Sequence, residues 1–289
     1  MPVYAVTGAS GHLGRLTIEQ LLGRGVRPSD VVAVVRDQGK TAGLAGRGVR
    51  VREADYSRPE TLGAALAGVN RLLLVSSSQP GQRAAQHGNV ITAARTAGVS
   101  RIAYTSMLNA DDSTSPLAGE HRESERALRA ADVPFTLLRN GYYTEVYTEP
   151  IGQYLQAGEI VGAARDGRIS AASRQDYAAA AATALLQDEG GNRTYELGGP
   201  AFSLPELARV ITEVTRTKVT YRDLSTGEYA SWLQRAGLDE ATAHYVAALD
   251  ASIARGDLET NSQDLPQLLG HPATPLAEVI RATSTTSTN

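Results

Sequence analysis

Along the first half of the chain, short runs of apolar and often β-branched residues alternate with stretches whose apolar positions recur at helical spacing. The runs at 3–7, 31–35, 49–53, 71–76, 101–105 and 133–138 read as strands. Most are continuously apolar rather than alternating, which implies burial on both faces, as in a parallel sheet covered by crossover helices. Stretches 13–22, 60–66, 83–97 and 120–130 read as those helices, and Gly25, Gly68 and Gly98 mark where three of them stop. The fold class that follows is α/β: a Rossmann doubly wound parallel sheet with a smaller C-terminal α/β substrate lobe.

After about residue 140 the alternation weakens. Residues 173–187 read as a helix with Ser173 near its N-cap, and 194–199 as a strand. A further helix follows Ser203, with Pro205 in its first turn and Glu206 at the capping-box position. "KVTYRDL" reads as a strand, two more helical stretches run from about 227 to 253, and the final "ATSTTSTN" as a frayed polar tail. The expected organisation is an NADP-binding Rossmann domain over 1–145, with 173–199 returning to it. Residues 146–289 form a smaller substrate-binding lobe.

Composition narrows the function classes. Net charge is −3 and cysteine is absent, which argues against a nucleic-acid binder and excludes disulfides, thiolate nucleophiles and cysteine metal sites. No apolar run approaches the roughly 20 residues of a membrane span, and the chain enters a strand at once without a leader pattern. A cytoplasmic protein, monomeric or homodimeric, working on a small molecule is expected, with no nucleic-acid or membrane partner.

The chemistry starts at "TGASGHLGRL", which leaves the first strand and opens the first helix. In Gly8-Ala9-Ser10-Gly11-His12-Leu13-Gly14 the first glycine permits a tight turn and the second lets backbone N–H groups approach a pyrophosphate. The third lets the helix pack close to the strand. The second strand ends in "VVAVVRDQGK", and its first polar residue is Arg36, not an acid. A guanidinium there meets a 2′-phosphate bidentately, which favours NADP(H), with NAD(H) as the alternative. No flavin motif is visible and no metal is expected.

Other candidates lie at strand ends, where ligands of such sheets bind. Asp55 and Tyr56 end the third strand and flank an adenine. Ser76, Ser77 and Ser78 end the fourth and offer hydroxyls to ribose and phosphates. In "RNGYY" Asn140 is placed for a nicotinamide amide, with Gly141, Tyr142 and Tyr143 shaping the pocket. Typical short-chain dehydrogenases also need a Tyr with a Lys four residues on, which lowers the Tyr pKa. Neither Lys40 nor Lys218 has that partner, although "YTS" at 104–106 resembles the segment that carries a catalytic Ser. The five histidines show no metal spacing. His121 and Glu125 share one helical face, so they can pair and protrude as a proton donor.

Together "TGASGHLG", "VVAVVRD", "VREADY", "LLLVSSS", "AGVSRIAYTSMLNAD", "SPLAGEHRESE", "FTLLRNGYY", "GRISAASRQDYAAAAATAL" and "LLGHPATPLAE" resemble the NmrA-like atypical short-chain dehydrogenases over nearly the whole length. The likeness is greatest to the quinone-reductase branch, with the triphenylmethane reductases beside it. It implies NADPH along the glycine loop, Arg36 on the 2′-phosphate, and Ser76–Ser78 and Asn140–Tyr143 lining the cofactor. Hydride would pass straight to a quinone or other electron-poor aromatic small molecule, which needs little acid catalysis. The substrate would sit between the lobes against Ser77, Gln79, Tyr104, Met107, His121 and Tyr143, with His121 and Tyr104 as candidate catalytic groups. Tyr142 stands where the quinone-reductase branch carries Trp. Two other readings keep the fold: a tailoring oxidoreductase or oxygenase for a polycyclic aromatic quinone, and an NADP(H)-sensing regulator that binds a protein partner without turnover.

Overall fold

A strand that is apolar on both faces must be covered on both, and the central strands of one seven-stranded sheet achieve that, while its two edge strands stay partly exposed. The computed structural model describes residues 1–187 and 190–286. The first half alternates as β1 (Tyr4–Val6), α1 (His12–Gly23), β2 (Val31–Val35), α2 (Ala42–Ala45), β3 (Arg50–Glu53), α3 (Pro59–Leu66), β4 (Arg71–Leu74), α4 (Arg83–Thr96), β5 (Arg101–Met107), α5 (Ala118–Arg129) and β6 (Phe135–Asn140). Then come α6 (Thr144–Thr148), α7 (Ile151–Ala157), β7 (Glu159–Gly162), α8 (Arg174–Leu186) and β8 (Arg193–Leu197). The rest is α9 (Leu204–Thr215), β9 (Thr220–Asp223), α10 (Thr226–Arg235), α11 (Glu240–Ala254), α12 (Asp264–Leu269) and α13 (Leu276–Thr286).

The sheet order is β3-β2-β1-β4-β5-β6-β8 and every pairing is parallel. The order reverses between β1 and β4, which opens a crevice at the carboxyl ends of those strands. One face of the sheet packs Val6, Ala33 and Leu73 against Ile18 and Leu21 of α1 and the alanines of α8. The other packs Val32, Leu72 and Ile102 against Leu62, Leu66 and Val90 of α3 and α4. Each such buried leucine or isoleucine contributes about 1.5–3 kcal/mol. In α8 Ala178 through Ala182 are all buried, so small side chains on every side let the helix slot between α1, α12 and the sheet.

β8 joins the sheet beside β6, with Leu137 opposite Thr194. A parallel pair, β7 and β9, lies outside it, with Ile160, Leu207, Ile211 and Ile253 forming a separate apolar cluster. The capping box of α9 forms as its sequence predicts, with Ser203 and Glu206 exchanging hydrogen bonds. The two regions are stitched by polar groups: Asp257 accepts from the Thr114 N–H at 2.8 Å, and Asn109 donates to the Asp257 and Glu259 carbonyls.

Two sequence expectations shift. The tail does not fray from 282, because α13 runs to Thr286, anchored by fully buried Ile280; residues 287–289 lie outside the described residues. β5 runs two residues longer than expected and β6 lies two residues further along the chain, so Met107 and Asn140 are paired in the ladder.

Candidate active site

Gly8 takes the left-handed conformation at φ +59°, and Gly11 closes back onto its carbonyl at 2.9 Å. A Cβ on Gly14 would lie 2.5 Å from the Gly8 carbonyl oxygen, so only glycine lets α1 start this close to β1. The N-cap of α1 is Gly11, with no side chain to occupy the helix N–H groups and no acid in the first turn. The positive end of the helix is left open toward the crevice, which suits a diphosphate.

The crevice is a cleft of about 570 Å³. Gly8, Ser10, Gly11, His12, Leu13 and Gly14 form one wall, and Arg36 stands at the end of β2. Asp37 turns away and accepts from the Gly39 N–H at 2.9 Å, so no carboxylate takes the place a ribose 2′-hydroxyl would need. Asp55, Tyr56, Ser76, Ser77, Ser78 and Gln79 line the opposite wall, and Tyr143 closes one end. The Tyr56 hydroxyl is tied to Thr7 and Val75, leaving its ring as an apolar surface.

Several expected site residues are not on that wall. Ala9 is fully buried under the loop. Gly141 serves packing: a Cβ there would meet the Ser170 carbonyl at 2.4 Å. Asn140 and Tyr142 do not line the cleft; the Asn140 Oδ1 and the Tyr142 hydroxyl are buried without a partner of good geometry. Tyr142 packs on the second lobe's cluster instead.

The expected acid pair is corrected outright. His121 and Glu125 share a face of α5, but that face points into the protein. Burial of His121 is 95% complete, and its Nδ1 lies 2.8 Å from the Tyr104 hydroxyl, itself buried. Burial, with the Arg83 charge and His87 nearby, lowers the His121 pKa to about 3, and burial raises that of Tyr104. Glu125 accepts from Arg139 Nε at 2.9 Å and Nη2 at 2.7 Å, and from the Ser106 hydroxyl at 2.6 Å. Burial alone would lower the Arg139 pKa; the hydrogen bonds it donates to Glu125 and Glu196 outweigh that and hold it above its ordinary value. Met107 is likewise buried, against Ala110 and Ala118.

Three cations that the sequence reading passed over also line the cleft: Lys40, Arg83 and Arg174. The Arg174 guanidinium sits 5.1 Å over the Tyr143 ring, and its Nη1 reaches Glu149 at 2.5 Å. No motif announces these residues; they arrive from three different connections. Val34, Val35, Ala54 and Val75 add apolar surface. With four basic side chains, an open helix N-terminus and a glycine turn, the donor set fits a phosphorylated dinucleotide. Among the described residues no group of three or more His, Asp or Glu is placed to hold a metal ion, and no helix is long and apolar enough to cross a membrane.

Comparison with known proteins agrees with this geometry. The sequence profile of the NAD(P)H-binding family matches residues 8–188. Quinone oxidoreductase 2 of Escherichia coli is 45% identical over 96% of this chain and 96% of that one. The crystal structure of the E. coli NADPH-dependent quinone oxidoreductase complexed with NADPH superposes with a TM-score of 0.94, covering 97% of this chain and 99% of that chain at 44% identity. The triphenylmethane reductase of Citrobacter gives 0.93 at 38% identity, over 98% and 99% of the two chains. From its glycine loop to its second lobe, the chain belongs to the NAD(P)H-binding, NmrA-like reductase family.

Proposed function

We propose that the protein is an NADPH-dependent oxidoreductase that delivers hydride directly to a quinone or another electron-poor aromatic. The observation that carries this reading is the extent of the likeness to the E. coli quinone reductase. It runs over 96% of both chains and so includes the second lobe as well as the cofactor cleft. A shared Rossmann sheet alone would speak only for the cofactor.

When bound, NADPH supplies the hydride. The protein's part is to hold and orient. The glycine turn and the start of α1 take the diphosphate, and Arg36 with Lys40 take the 2′-phosphate. Tyr56 and the valines at the ends of β2 and β4 give the adenine an apolar seat. Arg174 and Tyr143 close the far end. Residues 1–145 with 173–199 carry the cofactor, and the remainder of 146–289 forms the other side of the substrate cleft. No acid needs to reach the acceptor, because a quinone is electrophilic enough for positioning to supply most of the acceleration.

The test is consumption of NADPH and of NADH, with and without a simple naphthoquinone. Fast quinone-dependent loss of NADPH, with NADH slower, is the expected result. Tight NADPH binding with no turnover of any aromatic acceptor would overturn the enzyme reading in favour of a nucleotide sensor.

A further inference from the structure

The loop between β4 and α4 forms one wall of the cleft, and its backbone is held by side chains packed against it, of which Thr105 and His87 lie behind the wall and do not line the cleft. The Ser76 N–H donates to Thr105 Oγ1 at 2.8 Å, and the Gln79 N–H donates to Ser77 Oγ at 3.2 Å. At Ser77 both backbone groups are taken by α4: its carbonyl accepts from Arg83 Nε at 2.8 Å, and its N–H donates to His87 Nε2 at 2.9 Å. Arg83 is in turn fixed by Glu120 of α5, which accepts from its N–H at 3.0 Å and lies 3.4 Å from its Nη1.

A backbone N–H can only donate, so His87 Nε2 must be the acceptor and the ring proton must sit on Nδ1. That proton points at Ser124 Oγ, 2.8 Å away, and the Ser124 hydroxyl donates onward to the Glu120 carbonyl at 2.8 Å. Every donor in this chain finds one acceptor, and only one tautomer allows it. His87 is completely buried, flanked edge-on by the Tyr104 ring at 5.2 Å and the Tyr56 ring at 6.3 Å. Arg83 is the nearest charge.

We propose that His87 is the positioning residue of the cofactor wall: a permanently neutral imidazole that, through Nε2, fixes the Ser77 peptide and so aims Ser76–Gln79 at the cofactor. This rests on the cofactor assignment but not on quinone turnover. Burial and the Arg83 charge lower its pKa to about 3, so the ring stays an acceptor throughout the working range.

Two substitutions separate the two ends of the ring. His87→Gln extends a carbonyl oxygen far enough to accept from the Ser77 N–H. His87→Asn is a carbon shorter and reaches only as far as Ser124. NADPH dissociation constants from the quenching or transfer of its fluorescence give the readout, alongside thermal unfolding of each variant. The expected result is that H87N weakens NADPH binding about 10-fold, the consequence of one unpaired buried N–H, while H87Q stays within about threefold of wild type. Equal NADPH affinities for the two variants, or a loss of thermal stability with unchanged affinity, would overturn the proposal and leave His87 as core packing.

Nitrogen-15 NMR of the wild-type imidazoles is the second measurement and needs no variant. A single Nδ1–H form of His87, unchanged from about pH 7.5 to 5.5, is expected. An Nε2–H form, or protonation within that range, would overturn the proposal. Failure of the quinone reaction alone would move neither readout.

Discussion

The two halves of the cleft floor use similar polar residues to opposite ends. On the β1–β2 side the backbone itself faces the cleft: a left-handed Gly8, an uncapped helix and Arg36 beyond it. On the β5–α5 side Tyr104, His121 and Glu125 face inward, each satisfied by a buried partner. The first half opens donors to the cleft and the second half braces. The lesson is that residue type does not make a catalytic acid. A histidine and a carboxylate on one helical face are available to substrate only if that face is wet, and here it is the core face of α5.

The bracing side gives the largest expected effects. Glu125→Ala leaves Arg139 and its neighbours short of the carboxylate that neutralises them in a dry site. It should cost about 3–5 kcal/mol in urea unfolding. A loss below about 1 kcal/mol would mean that Glu196, 2.9 Å from Arg139 Nη1, and Asp111, 2.8 Å from its Nη2, suffice for Arg139 and that the brace is looser than its geometry.

The same side sets the acid limb of stability. His87 and His121, both depressed to about 3 by burial, stay neutral in the folded chain, whereas the unfolded chain protonates them below about 6.5. Their contribution is full above that pH and is lost as pH falls toward 3, by up to about 2 kcal/mol per histidine at about pH 5. Asp250, lifted to about 6 by burial, works the other way between 6 and its ordinary value, and offsets part of the loss. Unfolding free energies measured at pH 7 and 5 should therefore fall with acid. No fall would mean that these rings are wetter than the structure shows.

On the binding side, Arg36→Ala should weaken NADPH by about 1.5–3 kcal/mol and leave NADH nearly unchanged, because only the 2′-phosphate is lost. Equal losses for both cofactors would remove that assignment. Arg174→Ala supplies the contrast: its guanidinium lies at the other end of the cleft, so calorimetry should show both cofactors weakened alike, by about 1 kcal/mol. Smallest of all is His121→Phe, which should leave turnover at saturating cofactor and quinone within about threefold. A general acid would cost about 10²–10⁴-fold.

The sequence was legible wherever backbone needs dictate residue type. Continuous apolar runs marked the central strands of the first half, and the glycine spacing marked the tight turn between β1 and α1, because a left-handed turn and a close approach admit little else. Arg83 and Arg174 were illegible because their place depends on how α4 and α8 meet the sheet, not on neighbours in the chain. The direction of α5 was illegible for a related reason. Glu125 and His121 look like a polar surface in one dimension, and only the arrival of Arg139 from β6 and Tyr104 from β5 makes that surface an interior. β7 was illegible because it stands outside the main alternation and is defined by its pairing with β9, far along the chain.

The central claim is that hydride reaches the acceptor without a titrating side chain beside it. Its most direct test is the rate of naphthoquinone-dependent NADPH oxidation by the wild-type protein, at saturating concentrations of both, from about pH 6.5 to 8.5. The account predicts a flat profile. A break within that window, abolished in His121→Phe, would contradict it and return the histidine to the reaction.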